Sequence, residues 1–119
     1  MFINLSNHPS ARWSAEQTEA ARAFGDIVDL PFPVVDPQAD EADVAAVADA
    51  YTQKVIDLTD GVPATVHLMG EMSLTFALIS RLKTLGYRCL ESTTMRETVE
   101  SPDGVKTSVF RFVRFRNYE

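Results

Sequence analysis

Three short polar stretches carry the side chains with which this chain can do chemistry: SNHPS (6–10), MGEMS (69–73) and STTMR (92–96). In the first, Ser6, Asn7, His8 and Ser10 place hydroxyls, an amide and an imidazole side by side. An imidazole exchanges a proton near neutral pH or donates a hydrogen bond, so His8 is the candidate acid or base. In the second, Gly70 permits close backbone approach, and the amides of Glu71, Met72 and Ser73 fall where a helix begins. Unpaired N–H groups and the helix dipole favour a phosphate there. The competing account makes Gly70 a tight turn and Ser73 an N-cap. Glu71 is unfavourable beside a phosphate and suits ribose hydroxyls or an adenine amine. In the third stretch the hydroxyls of Ser92, Thr93 and Thr94 and the guanidinium of Arg96 suit phosphate and ribose oxygens. Its rival is strand propensity, with Arg96 paired across a hairpin to Glu91 or Glu97. His67, inside an apolar strand, reads as a satisfied core residue.

Other chemistries lack their usual supports. No GxGxxG or GxxxxGK[ST] is present, so no dinucleotide or triphosphate cofactor is expected. No carboxylate or histidine cluster has metal-ligand spacing, and no metal is expected. The single cysteine, Cys89, excludes a disulfide within the chain and reads as a small buried hydrophobe. Net charge is -6, divided as -9 over residues 1–80 and +3 over 81–119, which argues against duplex DNA and leaves room for a small anion near the C-terminal half. With 45% apolar and 24% charged residues, no long apolar run and no export-signal pattern, a cytoplasmic protein without a membrane span is expected.

The elements that must position these stretches alternate in type. FINL (2–5) reads as a strand buried on both faces. Ser14 caps a first helix that stops at Gly25, and DIVDLPF is a strand cut short by Pro31 and Pro33. Asp40 and Asp43 start a second helix whose stripe is Val44, Val47, Ala48, Tyr51, Val55 and Leu58. ATVHLM is a third strand, and EMSLTFALISRLKTLG a third helix, apolar around most of its circumference and ended by Gly86. YRCLESTTMRETVE, the turn SPDGV and KTSVFRFVRFRNY form a C-terminal hairpin. Strict alternation places Ser108, Phe110, Phe112 and Arg114 on one face of its last strand, and Val109, Arg111, Val113 and Phe115 on the other.

This alternation predicts one small Rossmann-like three-layer α/β domain over residues 1–119. Its sheet is mostly parallel, in order 2-1-3-4, with a C-terminal antiparallel strand. Ligands of such sheets bind beyond the carboxyl ends of the strands where the order reverses, which brings SNHPS and MGEMS together with STTMR on the same edge. Aromatics on both faces of the last strand suggest a homodimer with a basic rim of Arg111, Arg114 and Arg116; an RNA-stacking surface is the rival account.

In layout, FINLSNHPS opening from a first strand and HLMGEMSLTFALISRL leading from a third strand into a helix resemble the small CRISPR-associated proteins related to CARF domains and ring nucleases. The resemblance covers nearly the whole chain as a pattern, without a diagnostic motif. It implies a homodimer that binds a cyclic oligoadenylate second messenger, such as cyclic tetra-adenylate, across its two-fold axis in type III CRISPR antiviral signalling. It also implies metal-independent opening of the ring, in which a ribose 2′-hydroxyl attacks the adjacent phosphate. By position, Ser6, Asn7, Ser10, Gly70, Glu71, Met72, Ser73, Thr93 and Thr94 would line the ligand, and His8 or Arg96 would assist cleavage. The three loops carry no lysine, a departure from ring-cleaving relatives that use a basic residue there. A module that binds the nucleotide without cleaving it, and a dimer with another partner, are the alternatives.

Overall fold

The computed structural model describes residues 1–119. In chain order the elements are β1 (Phe2–Ser6), a single 3-10 turn (Ser10–Arg12), α1 (Ala15–Arg22), β2 (Ile27–Asp29), α2 (Glu41–Leu58), β3 (Thr65–Met69), α3 (Met72–Thr84), β4 (Arg88–Glu100) and β5 (Lys106–Asn117). One five-stranded sheet has the order β2-β1-β3-β4-β5. β1 runs parallel to β2 and β3, β3 parallel to β4, and β5 antiparallel to β4. The predicted topology is the one observed.

Period-two alternation divides the core. Ile3, Leu5, Val66, Leu68 and Cys89 pack with Ala48, Val55, Leu74, Leu78 and Leu82 of α2 and α3. On the opposite face Phe2, Leu90 and Phe115 pack with Ala21, and with Ala20 and Phe24 at their edge. Each helix begins on a side chain that satisfies its free amides. Ser14 Oγ accepts from the amide of Gln17 (3.2 Å), and Asp40 and Asp43 form a reciprocal capping box.

The third helix departs from expectation. Its N-cap is Glu71, not Ser73, and Met72 and Phe76 are 80% and 74% exposed, so one flank of α3 faces solvent.

Two features open a surface on the α1 side of the sheet. α1 has only eight residues, about 12 Å of helix, and so covers only part of its face of the sheet. β4 pairs with β3 only through Arg88, Cys89 and Leu90, after which β4 and β5 run on as a two-stranded ribbon. A bulge corrects the face assignment made from alternation. Thr93 pairs with Arg114 and Thr94 with Phe112, which leaves Val113 as the extra residue and returns Phe112 to the face of Phe115. Their rings lie 5.0 Å apart, on the side of the sheet that carries α1.

Candidate functional site

Towards the carboxyl ends of the strands, the α1 face changes from apolar to polar. Asn4 and His67 are partners in the β1–β3 register, and both are 1% exposed. Two buried polar residues side by side need a complete set of partners, and here they have one. Asn4 Nδ2 donates to Asp29 Oδ1 (2.9 Å) and to the carbonyl of His8 (2.9 Å). Asn4 Oδ1 accepts from Ser6 Oγ (2.7 Å) and lies 2.8 Å from His67 Nδ1. On the far side of the ring, His67 Nε2 lies 3.1 Å from Ser92 Oγ. Burial, reinforced by electrostatic repulsion from the neighbouring His8, lowers the His67 pKa to about 4, so the His67 ring is neutral at physiological pH.

Above this polar floor lies a groove of about 630 Å³. One wall comes from the loop after β1 and the start of α1, with His8, Arg12, Trp13 and Ser14. The other comes from the ribbon, with Ser92, Thr94, Phe110 and Phe112, and His67 and Met69 lie at the base. Arg12 has no ion-pair partner, whereas Arg111 at the ribbon wall is paired with Glu97 (3.2 Å). The indole N–H of Trp13 is buried without an acceptor. Phe110 is 67% exposed. A guanidinium, hydroxyls and aromatic faces in one groove, with the Glu16 carboxylate on the same wall, suit a phosphate, a sugar and a base.

The candidate residues from the sequence fall into distinct places. His8 and Thr94 line the groove. Ser6 ends β1 and is buried, its hydroxyl engaged by Asn4 and by the His8 amide (3.2 Å). Asn7 is exposed, and its amide donates to the Met69 carbonyl (3.3 Å), which makes SNHPS and MGEMS neighbours as the topology requires. Ser10 Oγ donates to Asp29 Oδ2 (2.8 Å). Thr93, on the opposite face from Thr94, donates to the Arg114 carbonyl (3.2 Å). Arg96 lies further along the ribbon and donates to Ser108 Oγ (3.1 and 3.0 Å), not to Glu91 or Glu97, which pair with Arg116 and Arg111.

The α3 amides are not vacant. Glu71 turns its own carboxylate onto the amides of Ser73 and Leu74 (2.9 Å each). These bonds, Leu74 first and then Ser73, hold its pKa below the usual carboxylate range. The helix start expected to bind a phosphate is therefore already filled by an anion. Gly70 is required for packing: a Cβ there would meet the Phe32 ring at 2.5 Å. Gly70 and Met72 border a separate hollow of about 330 Å³ with Phe76, Ile79 and Tyr118.

Elsewhere, a hollow of about 410 Å³ between α2 and α3 holds the ion pair of Arg81 and Asp49 (2.8 Å) and touches none of these residues. Cys89 is buried, and desolvation pushes its thiol up to about 11.

Sequence reasoning missed His67 and Ser92 as a pair, and with them Asn4 and Asp29. The available signal was that Asn4 and His67 both interrupt apolar strands that the predicted order makes adjacent. No helix is long and apolar enough to cross a membrane. Neither a curated protein nor a solved structure matches the chain. The sequence matches one family over residues 1–116 of 119, and the chain belongs to it: the Uncharacterized protein MJ1673 family.

Proposed function

We infer that the groove between the first loop and the ribbon binds a cyclic oligoadenylate, with cyclic tetra-adenylate the first choice, and opens it by metal-independent phosphodiester cleavage in type III CRISPR antiviral signalling. The observation that carries this reading is the composition of the groove. In a chain of net charge -6, it sets an unpaired Arg12 beside His8, the hydroxyls of Ser92 and Thr94, and the aromatic faces of Trp13, Phe110 and Phe112. Bases stack on such rings, and phosphates pair with such cations.

A homodimer fits the same surface. At about 630 Å³ the groove is of ordinary small-ligand size, roughly 300–1,000 Å³, which a ring of several nucleotides exceeds unless a second copy supplies the remainder. The ribbon also exposes Phe110 on the groove face and Met95, Val99 and Val109 on the other. A two-stranded ribbon is marginal in water without cover, and a second ribbon would provide it.

One observation favours binding without cleavage: no lysine lines the groove. The experiment is to incubate the protein with cyclic tri-, tetra- and hexa-adenylate in the presence of a chelator, and to resolve products and complexes chromatographically. Linear products ending in a 2′,3′-cyclic phosphate are expected. Intact ring that co-elutes with a dimer leaves the binding module, and failure to retain any ring overturns both readings.

A further inference from the structure

One hydrogen-bonded line crosses the sheet beneath the groove and takes a single residue from each of four strands. These are Asp29 on β2, Asn4 on β1, His67 on β3 and Ser92 on β4. The line fixes its own protons. Asn4 Nδ2 faces two acceptors, the Asp29 carboxylate and the His8 carbonyl, so the oxygen of its amide is the atom turned towards His67. That oxygen can only accept, which puts the proton of the neutral imidazole on Nδ1. Nε2 then holds a lone pair 3.1 Å from Ser92 Oγ. Met69 Sδ also lies 3.0 Å from this hydroxyl, but a thioether is a weak acceptor, and the proton goes to the imidazole. A hydroxyl bonded to a base that a third group orients is the arrangement that makes a hydroxyl reactive. Ser92 stands on the groove wall, and His67 lies behind it.

We propose that Ser92 and His67 are the proton-accepting pair of the groove, that their substrate is a ribonucleotide phosphodiester, and that Asn4 is the positioning residue that holds His67 ready to accept. The proposal rests on reading the groove as a ring-opening site and adds the residues that move the proton. In the step, the ribose 2′-oxygen bonds to phosphorus while Ser92 Oγ takes its proton and passes its own to His67 Nε2. The P–O5′ bond breaks with its electron pair on O5′, which takes a proton from solvent, and His67 returns its proton to solvent. Ring and linear 2′,3′-cyclic phosphate product are isomers, so no water, oxidant or reductant is consumed. The bound phosphate supplies a negative charge near the imidazole and offsets the burial that otherwise disfavours its protonation.

The test measures ring affinity and ring-opening rate separately for wild type, Ser92→Ala, Ser92→Thr and His67→Gln. Ser92→Ala and His67→Gln are expected to lose about 100-fold or more in rate, the range of general acid–base assistance, with affinity held within about threefold. Ser92→Thr keeps the hydroxyl and most of the rate. Unchanged turnover in Ser92→Ala overturns the relay and leaves the ring-opening reading standing. Binding without turnover by the wild type overturns the relay and leaves the binding module; no binding by the wild type overturns all three. Nitrogen NMR of the ligand-free wild type gives a check that does not depend on any variant folding. The His67 proton is expected on Nδ1, and a proton on Nε2 overturns the proposal.

Discussion

His67 sits among the rings of Phe2, Trp13 and Phe115, at centroid separations of 6.2, 5.6 and 5.4 Å. This aromatic enclosure is what keeps it neutral, and it has a consequence for stability. With the folded pKa lowered to about 4 from 6.5, the unfolded chain takes up a proton first as pH falls. Stability is therefore full above pH 6.5 and declines from there to about pH 4, by about 3 kcal/mol. Urea unfolding across this window should show the slope in wild type and its loss in His67→Gln; parallel curves would refute the assignment. Nothing local in ATVHLM announces this role, because the partners of His67 come from positions 4 and 92, far away in sequence. By contrast, the buried Cys89 was legible from its apolar neighbours alone.

Among the elements, the helix caps were legible where they obey short-range rules. Ser14, Asp40 and Gly86 stand where those rules place them, Gly86 with φ +88°. At the start of α3 the sequence offered free amides, or Ser73 as their cap, and only the folded geometry shows that the Glu71 carboxylate reaches them. Removing that carboxylate in Glu71→Ala leaves two amides to solvent and should lower stability, read as an earlier midpoint in chemical denaturation. No change would mean that water replaces the carboxylate without loss. The ribbon illustrates a second limit. One bulged residue reverses the faces of everything beyond it, and KTSVFRFVRFRNY contains no glycine or proline to mark the site.

For the molecule as a whole, the alternation of elements was enough to give the sheet order, because right-handed crossovers leave few alternatives. The same alternation brought the first and third loops together. It did not reveal that a short α1 and a protruding ribbon would shift the open surface away from the MGEMS amides and onto the ribbon side. On the proposed function, that shift moves the ligand contacts onto the ribbon side. The most direct test of that location is a titration of cyclic tetra-adenylate into nitrogen-labelled protein, following each backbone amide by NMR. The largest changes are expected at His8–Ser14, Ser92–Thr94 and Phe110–Phe112. Changes concentrated at Met72–Ile79, or none at saturating ligand, would contradict it.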